Sequence, residues 1–460
     1  MKNSISATHK AHRSSPVLQF ERSKLTSFSG LLLFSDFFRS IQLNKKILEC
    51  FRHLNTGSIY GARRIFLGLI IHVMLGYKAI RETRFYRDDP MILRVLGISC
   101  FPTVSTICRT LNACDQKSVH ALRSLNRRMV INNLAQNGVS RFTLDFDGSV
   151  ISTKRHAENS AVGFNKRHKG RRSYYPLFCM AAQSGQVLDV YHRPGNVHDS
   201  NGAQDFMCEQ FNSVYSENPF AKIETRTDGA FFSQNMAEYL YQSGIEFTTS
   251  VPFLRLPELK QIVENTSEEQ WNRANGETDY CDINWSPKSW EYQHRFVLVR
   301  KQMKIQNKDP IQLDLFVPLD FTYEYKVIIT NKNGSASSII KFHEGRGAQE
   351  NVLSELKTDA SVGYIPFKRW IPNQLYLLAS VYAHNLNRSY QLACGLPKRF
   401  TVAKRTQLWK FRRLETIRGS ILRRAGRFTR PQNVQTLTIS GGRMIKKIFT
   451  TASNLFRKAA

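Results

Sequence analysis

Residues 141–151 read RFTLDFDGSVI, a β-rich run whose strand alternation sets Asp145 and Asp147 on one face and packs Leu144 and Phe146 on the other. Like charges held on one face raise each other's pKa and cost stability unless a cation or hydrogen-bond donors sit between them. A divalent metal would resolve that conflict. Taken alone, the stretch is explained as readily by the exposed face of an edge strand, so the pair needs company elsewhere in the chain.

Downstream, Tyr174–Gln183 and Val187–Arg193 are β-rich and joined by Ser184-Gly185-Gln186, which predicts a three-stranded antiparallel opening. A helical stretch over Ser200–Val214 follows. Next come strand-like Ile223–Thr227, amphipathic Ser233–Ser243 ended by Gly244, and strand-like Ile245–Val251. Three strands and then alternating helix and strand predict an α/β core resembling ribonuclease H. Residues 252–325 break the alternation with Trp271, Trp285, Trp290 and the strand-like Phe296–Arg300 and Leu313–Val317, and read as a mostly β insertion. The core resumes with Tyr325–Thr330, turns at Asn331–Gly334 and continues into Ser337–Phe342. Helices are expected near Ala348–Lys357 and Gln374–Asn387.

Upstream, residues 1–25 lack periodicity and read as a flexible lead-in. Ile65–Tyr77 and Val119–Leu134 carry apolar residues at three- and four-residue intervals, and Pro102-Thr103 offers a start signal for Val104–Asn112, so a small helical bundle is predicted. The expected organisation is a helical, basic region over 1–140, the first part of the core over 141–251, the insertion over 252–325, the second part of the core over 326–390 and a basic C-terminal region over 391–460.

The net charge of +30 sits at the ends of the chain. Residues 1–141 hold 22 Lys and Arg against 7 Asp and Glu, residues 142–385 hold 26 against 28, and residues 386–460 hold 18 against 1. A polyanion gripped by the two flanks explains this split, because each neutralised phosphate releases counterions without any sequence readout. In Val104–Asn112, Ser105, Thr106 and Arg109 are candidates to face a nucleic-acid groove, although any amphipathic helix offers such a pattern. The N-terminus shows no signal peptide, and Ile65–Tyr77 is too short to span a bilayer, so a cytoplasmic protein with no membrane partner is expected. The eight cysteines include no C-x2-C pair and therefore no zinc framework.

Two further elements give the aspartates company. Asp228 follows Ile223–Thr227 and precedes Gly229, at the point where a strand leaves the sheet and where catalytic residues of α/β cores collect, though an Asp-Gly turn is the plainer account of it alone. His343, Arg346, Glu350 and Lys357 are spaced by three, four and seven residues, which on one continuous helix keeps them within about 60° of arc. Gly345 and Gly347 allow the helix to begin only near Ala348, with His343 and Arg346 approaching from the preceding turn. Cations on either side of a carboxylate suit a phosphate substrate, while an i,i+4 salt bridge between Arg346 and Glu350 is the bland alternative.

Across residues 140–390 the chain resembles bacterial insertion-sequence transposases of the DDE type, especially the branch named insertion sequence thirteen-eighty. Three blocks carry the resemblance. The first is Leu144–Val150 (LDFDGSV) with Gly163–Pro176 and Gly185–Asp199 (GQVLDVYHRPGNVHD). The second is Arg226–Ser233 (RTDGAFFS), and the third is His343–Lys357 (HEGRGAQENVLSELK). The branch's last block has the form Y-x2-R-x3-E-x6-K; Arg346, Glu350 and Lys357 reproduce it, and His343 stands in the Tyr position.

The resemblance implies that Asp147, Asp228 and Glu350 are the catalytic, metal-binding acids on a ribonuclease-H-like fold and that His343, Arg346 and Lys357 contact DNA. Asp145 competes with Asp147 as first acid; Asp147 is preferred because the family's metal-binding Asp commonly precedes a small residue and Ser or Thr, here Gly148-Ser149. Two Mg2+ ions are the expected cofactor, because carboxylates with water and phosphate oxygens suit a hard cation, and Mn2+ should substitute. No G-x-G-x-x-G or Walker loop implies an organic cofactor. The expected activity is cleavage and strand transfer at the terminal inverted repeats of an insertion sequence in a prokaryotic nucleoid. The implied partners are double-stranded end and target DNA and a second protomer in the synaptic complex. The rival readings are a ribonuclease-H-like nuclease without strand transfer and a catalytically inactive, transposase-derived DNA-binding protein.

Overall fold

The computed structural model describes residues 24–55, 59–154, 156–302, 323–399 and 407–458. The strand expected at Leu313–Val317 and nearly all of the lead-in lie outside them. Nine strands form one mixed sheet: β1 (Arg141–Gly148), β2 (Leu177–Ala181), β3 (Gln186–Tyr191), β4 (Lys222–Thr227), β5 (Glu246–Val251), β6 (Asn272–Asn275), β7 (Thr278–Ile283), β8 (Arg295–Gln302) and β9 (Tyr323–Thr330). Their order is β6-β7-β8-β9-β5-β4-β1-β2-β3. β1, β2 and β3 run antiparallel, β4 and β5 run parallel to β1, and β9 returns antiparallel on β5. The strands of the segment after β5 therefore prolong the core sheet through β9 instead of building a separate layer.

β1 is a central strand covered on both faces. Phe146 packs edge-on against Phe206 and Phe211 of the helix Ala203–Glu217. On the other face Gln349 donates to the Asp145 carbonyl at 3.3 Å and draws the helix Ala348–Asp359 against the strand. The exposed-edge account of the two aspartates is thereby excluded. Ser337–Phe342, expected to continue the resumed core, lies inside a helix, Ala336–Glu344, which Ser335 caps by accepting from the Ser338 amide.

The helix Trp370–Ala393 is buried over most of its length and joins the sheet to the N-terminal helices. Asn385 accepts from the Val187 amide at 2.9 Å and donates to the Val187 carbonyl at 2.7 Å, while Asn126 donates to the Val187 and Leu188 carbonyls. These amides satisfy the free edge of β3, which would otherwise present unpaired backbone groups. The bundle itself contains Leu31–Ser40, Leu43–Cys50, Ala62–Met74, Pro90–Leu96, Val104–Asn112 and Gln116–Gln136, and Thr103 caps Val104–Asn112 as its sequence predicts.

The basic C-terminal region is built into this body. Gly426–Thr429 and Thr436–Ile439 form a small sheet with Leu25–Thr26, and the helix Arg443–Lys458 sets Phe456 against Phe37, 5.3 Å between ring centres. Two of its arginines serve the fold: Arg418 donates to the carbonyls of Met74, Val73 and Asp359, and Arg413 pairs with Asp359 at 2.6 Å.

Candidate active site

The register that pairs Asp145 with Arg226 across the parallel strands β1 and β4 sets the site. Asp145 and Arg226 are both buried and form a two-pronged ion pair, each prong 2.6 Å long, and Arg226 also donates to the Phe342 carbonyl. Asp145 is thus a structural anion whose oxygens are already engaged. Two residues further along each strand come Asp147 and Asp228, at the C-terminal end where both strands leave the sheet. The alternation that set both aspartates of β1 on one face holds, but depth separates their roles.

Asp147 is half-buried, and its carboxyl is pushed up to about 7 by burial and then by the negative charge of Asp228, with Arg346 opposing and Asp199 adding to the rise. Asp228 caps the turn Gly229–Phe231 by accepting from the Ala230 amide at 3.0 Å. Burial raises it as well, and Arg346 and His198 pull the other way. Asp199, which no sequence reading assigned to the site, comes from the loop after β3. Tyr175 donates to it at 2.7 Å and Arg193 at 3.4 Å. A Cβ on Gly148 would collide with Asp199 Oδ1 and the Tyr175 ring, so the glycine lets these groups lie directly against β1 beside Asp147. Both Tyr175 and Asp199 belong to the blocks that carry the family resemblance, but their types alone did not mark them.

The third block arrives in two pieces. Ala336–Glu344 ends at Gly345, a tight turn spans Gly345–Gly347, and the next helix starts at Ala348. His343 therefore does not share a helix with Glu350, as Gly345 and Gly347 allowed. One ring nitrogen lies 2.8 Å from Ser250 Oγ and the other 2.9 Å from Thr248 Oγ1. Burial, with Arg346 adding to it, drives its pKa down to about 3, so it is a neutral tie to β5. Arg346 stands in the turn, its charge felt by Asp147 and Asp228 while a guanidinium nitrogen lies 3.9 Å from Glu350 Oε1. Glu350, in the first turn of its helix, has a side chain 70% exposed. Lys357 sits two turns on, its ammonium held below its usual range by partial burial and by Arg167, with Asp147 acting in the opposite sense.

The structure thus brings Asp147, Asp228 and Arg346 together, leaves Glu350 at the rim facing Arg346, and adds Asp199. Among the described residues, no group of three or more His, Cys, Asp or Glu side chains is close enough to hold a metal ion as it stands. The donor chemistry nonetheless fits a divalent cation: two part-buried carboxyls are raised, Asp147 by burial and by Asp228 and Asp228 by burial and by Asp199, and Arg346 opposes both shifts. No helix among the described residues is long and apolar enough to cross a membrane.

The sequence matches the family described as Transposase DDE domain group 1 over residues 8–460. The chain belongs to this DDE transposase family, whose members are DNA-cleaving and DNA-transferring enzymes that generally use divalent metal ions. Among solved structures it is similar to the piggyBac transposase synaptic complex with hairpin DNA, at 11% identity and TM-score 0.45, over 94% of this chain and 81% of that one. It is also similar to the Mos1 transposase paired-end complex with left transposon end, at 10% identity and TM-score 0.19, over 37% of this chain and 58% of that one. No curated protein sequence matches the chain.

Proposed function

We propose that this protein cuts and rejoins DNA at the terminal inverted repeats of an insertion sequence, with Asp147, Asp228 and Glu350 as its catalytic acids. The observation that carries the reading is the meeting of Asp147 and Asp228 at the C-terminal ends of adjacent parallel strands, each raised by burial and facing too little positive charge. The order β3-β2-β1-β4-β5, with the first three antiparallel and the last two parallel to β1, supports a ribonuclease-H-like core. Arg346, Glu350 and Lys357 support the branch with the Y-x2-R-x3-E-x6-K block, His343 having exchanged a phosphate contact for a tie to β5.

Asp147, Asp228 and Glu350 would hold two Mg2+ ions, replaceable by Mn2+, which when bound activate the attacking oxygen and stabilise the departing one. The residues of the chain do the rest. Asp147 and Asp228 are fixed by strand register and by the Ala230 amide, and Glu350 completes the set by leaving Arg346, which its exposure permits. Arg346, freed from the carboxylates, and Lys357 are placed to hold phosphate oxygens on either side of the reacting position. Tyr175 and Arg193 hold Asp199 against Gly148 and so brace the end of β1. Double-stranded end and target DNA are the proposed partners, with two protomers in the synaptic complex and a nucleoid location.

The test is cleavage of an element-end duplex in Mg2+ by Asp147→Asn, Asp228→Asn and Glu350→Gln. Each variant should bind the end and fail to cut it. Wild-type cutting by any one removes that residue from the site, and cutting without strand transfer by the unaltered protein would favour the nuclease reading.

A further inference from the structure

Residues 142–385 are close to neutral overall, yet residues 163–172, GFNKRHKGRR, carry Lys166, Arg167, Lys169, Arg171 and Arg172 with no acid among them. This stretch projects from between β1 and β2 on a small sheet of Ile151–Ser152, Ala161–Val162 and Arg172–Tyr174. Its base is pinned: the Phe164 amide donates to the Gly195 carbonyl at 3.1 Å, and a Cβ on Gly163 would strike that carbonyl. Asn165 is buried, donates to Ser152 Oγ at 2.7 Å and accepts from the His168 amide at 3.1 Å. Residues 166–172 are all exposed, and Arg172 turns back to Ser160.

Phe164 is 43% exposed although it lies among the groups that line the acids. Its ring centre is 6.0 Å from that of Tyr175 and 5.7 Å from that of His198. Tyr175 bonds Asp199 and lies against Gly148, next to Asp147. An unbroken run of contacts therefore leads from the first acid to an open aromatic face rimmed by cations. A row of phosphate-holding cations with an aromatic platform is how proteins grip unpaired nucleic acid, since every base has a face to stack.

We infer that this loop holds the single-stranded DNA next to the reacting phosphate, with Phe164 stacking an unpaired base and Lys166, Arg167, Lys169 and Arg171 meeting its phosphates. The inference rests on the transposase reading above and names the state of the DNA that the site receives. Charge complementarity fixes the occupant as a polyanion. The exposed ring, which has no use in gripping an intact backbone, selects an unpaired strand over a duplex.

The experiment measures binding of the full chain to a fluorescent duplex bearing a ten-nucleotide single-stranded 3′ overhang and to the same duplex blunt, over a salt series. Phe164→Ala should weaken overhang binding on the order of tenfold and leave blunt binding unchanged, while Phe164→Tyr should keep both. Replacing Lys166, Arg167, Lys169 and Arg171 together by Gln should flatten the salt dependence for the overhang by about three units, at about 0.7 per phosphate. Wild-type overhang affinity in Phe164→Ala, or an unchanged salt slope in the four-site variant, would overturn the inference. A wild-type chain that binds neither DNA would sink the transposase reading along with it, whereas a wild-type chain that binds and cuts DNA while these variants match it sinks this inference alone.

Discussion

The two ends of the central sheet carry similar numbers of acids and treat them in opposite ways. At one end Glu224 and Glu246 are matched by Arg141, at 3.1 and 3.0 Å, and by Lys332, with Thr143 donating to Glu224 at 2.7 Å. One layer further in, Asp145 is matched by Arg226. At the other end Asp147 and Asp228 share the influence of Arg346 and both carboxyls are raised, while Asp199 is held by Arg193 and Tyr175. Acids paired at one end and short of cations at the other leave the second end suited to a positive ligand, as the proposed function requires. The same contrast separates two sets of cations: Arg418 and Arg413 of the C-terminal region are taken up by carbonyls and by Asp359, whereas Lys166, Arg167, Lys169 and Arg171 face solvent.

The sharpest way to break the comparison is to neutralise one acid at each end. Asp147→Asn or Asp228→Asn should cost on the order of a thousandfold or more in the rate of end cleavage while the metal-free protein melts no earlier than wild type. Glu224→Ala should do the reverse in kind, losing about 1–3 kcal/mol of stability in urea unfolding because buried Lys332 keeps only Glu246 as its partner and Thr143 loses its acceptor. Early melting of Asp147→Asn, or an unaffected Glu224→Ala, would erase the distinction between the ends.

The pH dependence sharpens it further. Asp147 has a folded pKa of about 7, above the roughly 4 of an unfolded Asp, so the folded state binds more protons between those values. Stability of the metal-free protein should therefore fall as pH rises from about 4 to about 7 and level off above, and Asp147→Asn should remove that component. Because Mg2+ competes with the same proton, its affinity should rise through neutral pH and then plateau. Thermal melts at pH 5 to 8 with and without Mg2+ read both effects, and a melting profile that Asp147→Asn leaves unchanged would contradict them.

A smaller effect is expected from the cations at the rim. Arg346→Ala and Lys357→Ala should slow single-turnover cleavage about a hundredfold through misplacement of the reacting phosphate, yet shift the salt slope of end binding by only about one unit. Normal rates at saturating enzyme would reduce both to a solvated surface.

Much of the core was legible before any coordinates. Alternating runs marked β1, β2, β4 and β5, and the cap at Thr103 marked the helix Val104–Asn112, because strand and helix periods and capping chemistry are local. The helix over Ser337–Phe342 was not legible, since its β-branched and aromatic residues suit a strand as well and tertiary packing decided between them.

The sequence by itself determined the family, for this depends on which residue types stand in which order and spacing. The tertiary structure alone decided what each charge is for. Asp145 and Asp147 differ by a single step of the same strand, but Arg226 reaches one and not the other. His343 is tied to Ser250 and Thr248, and Asp199 lies against Gly148 from a loop 52 positions beyond Asp147. Whether a carboxylate is paired or left for a ligand depends on which side chains approach through space, and local sequence patterns do not report that distance.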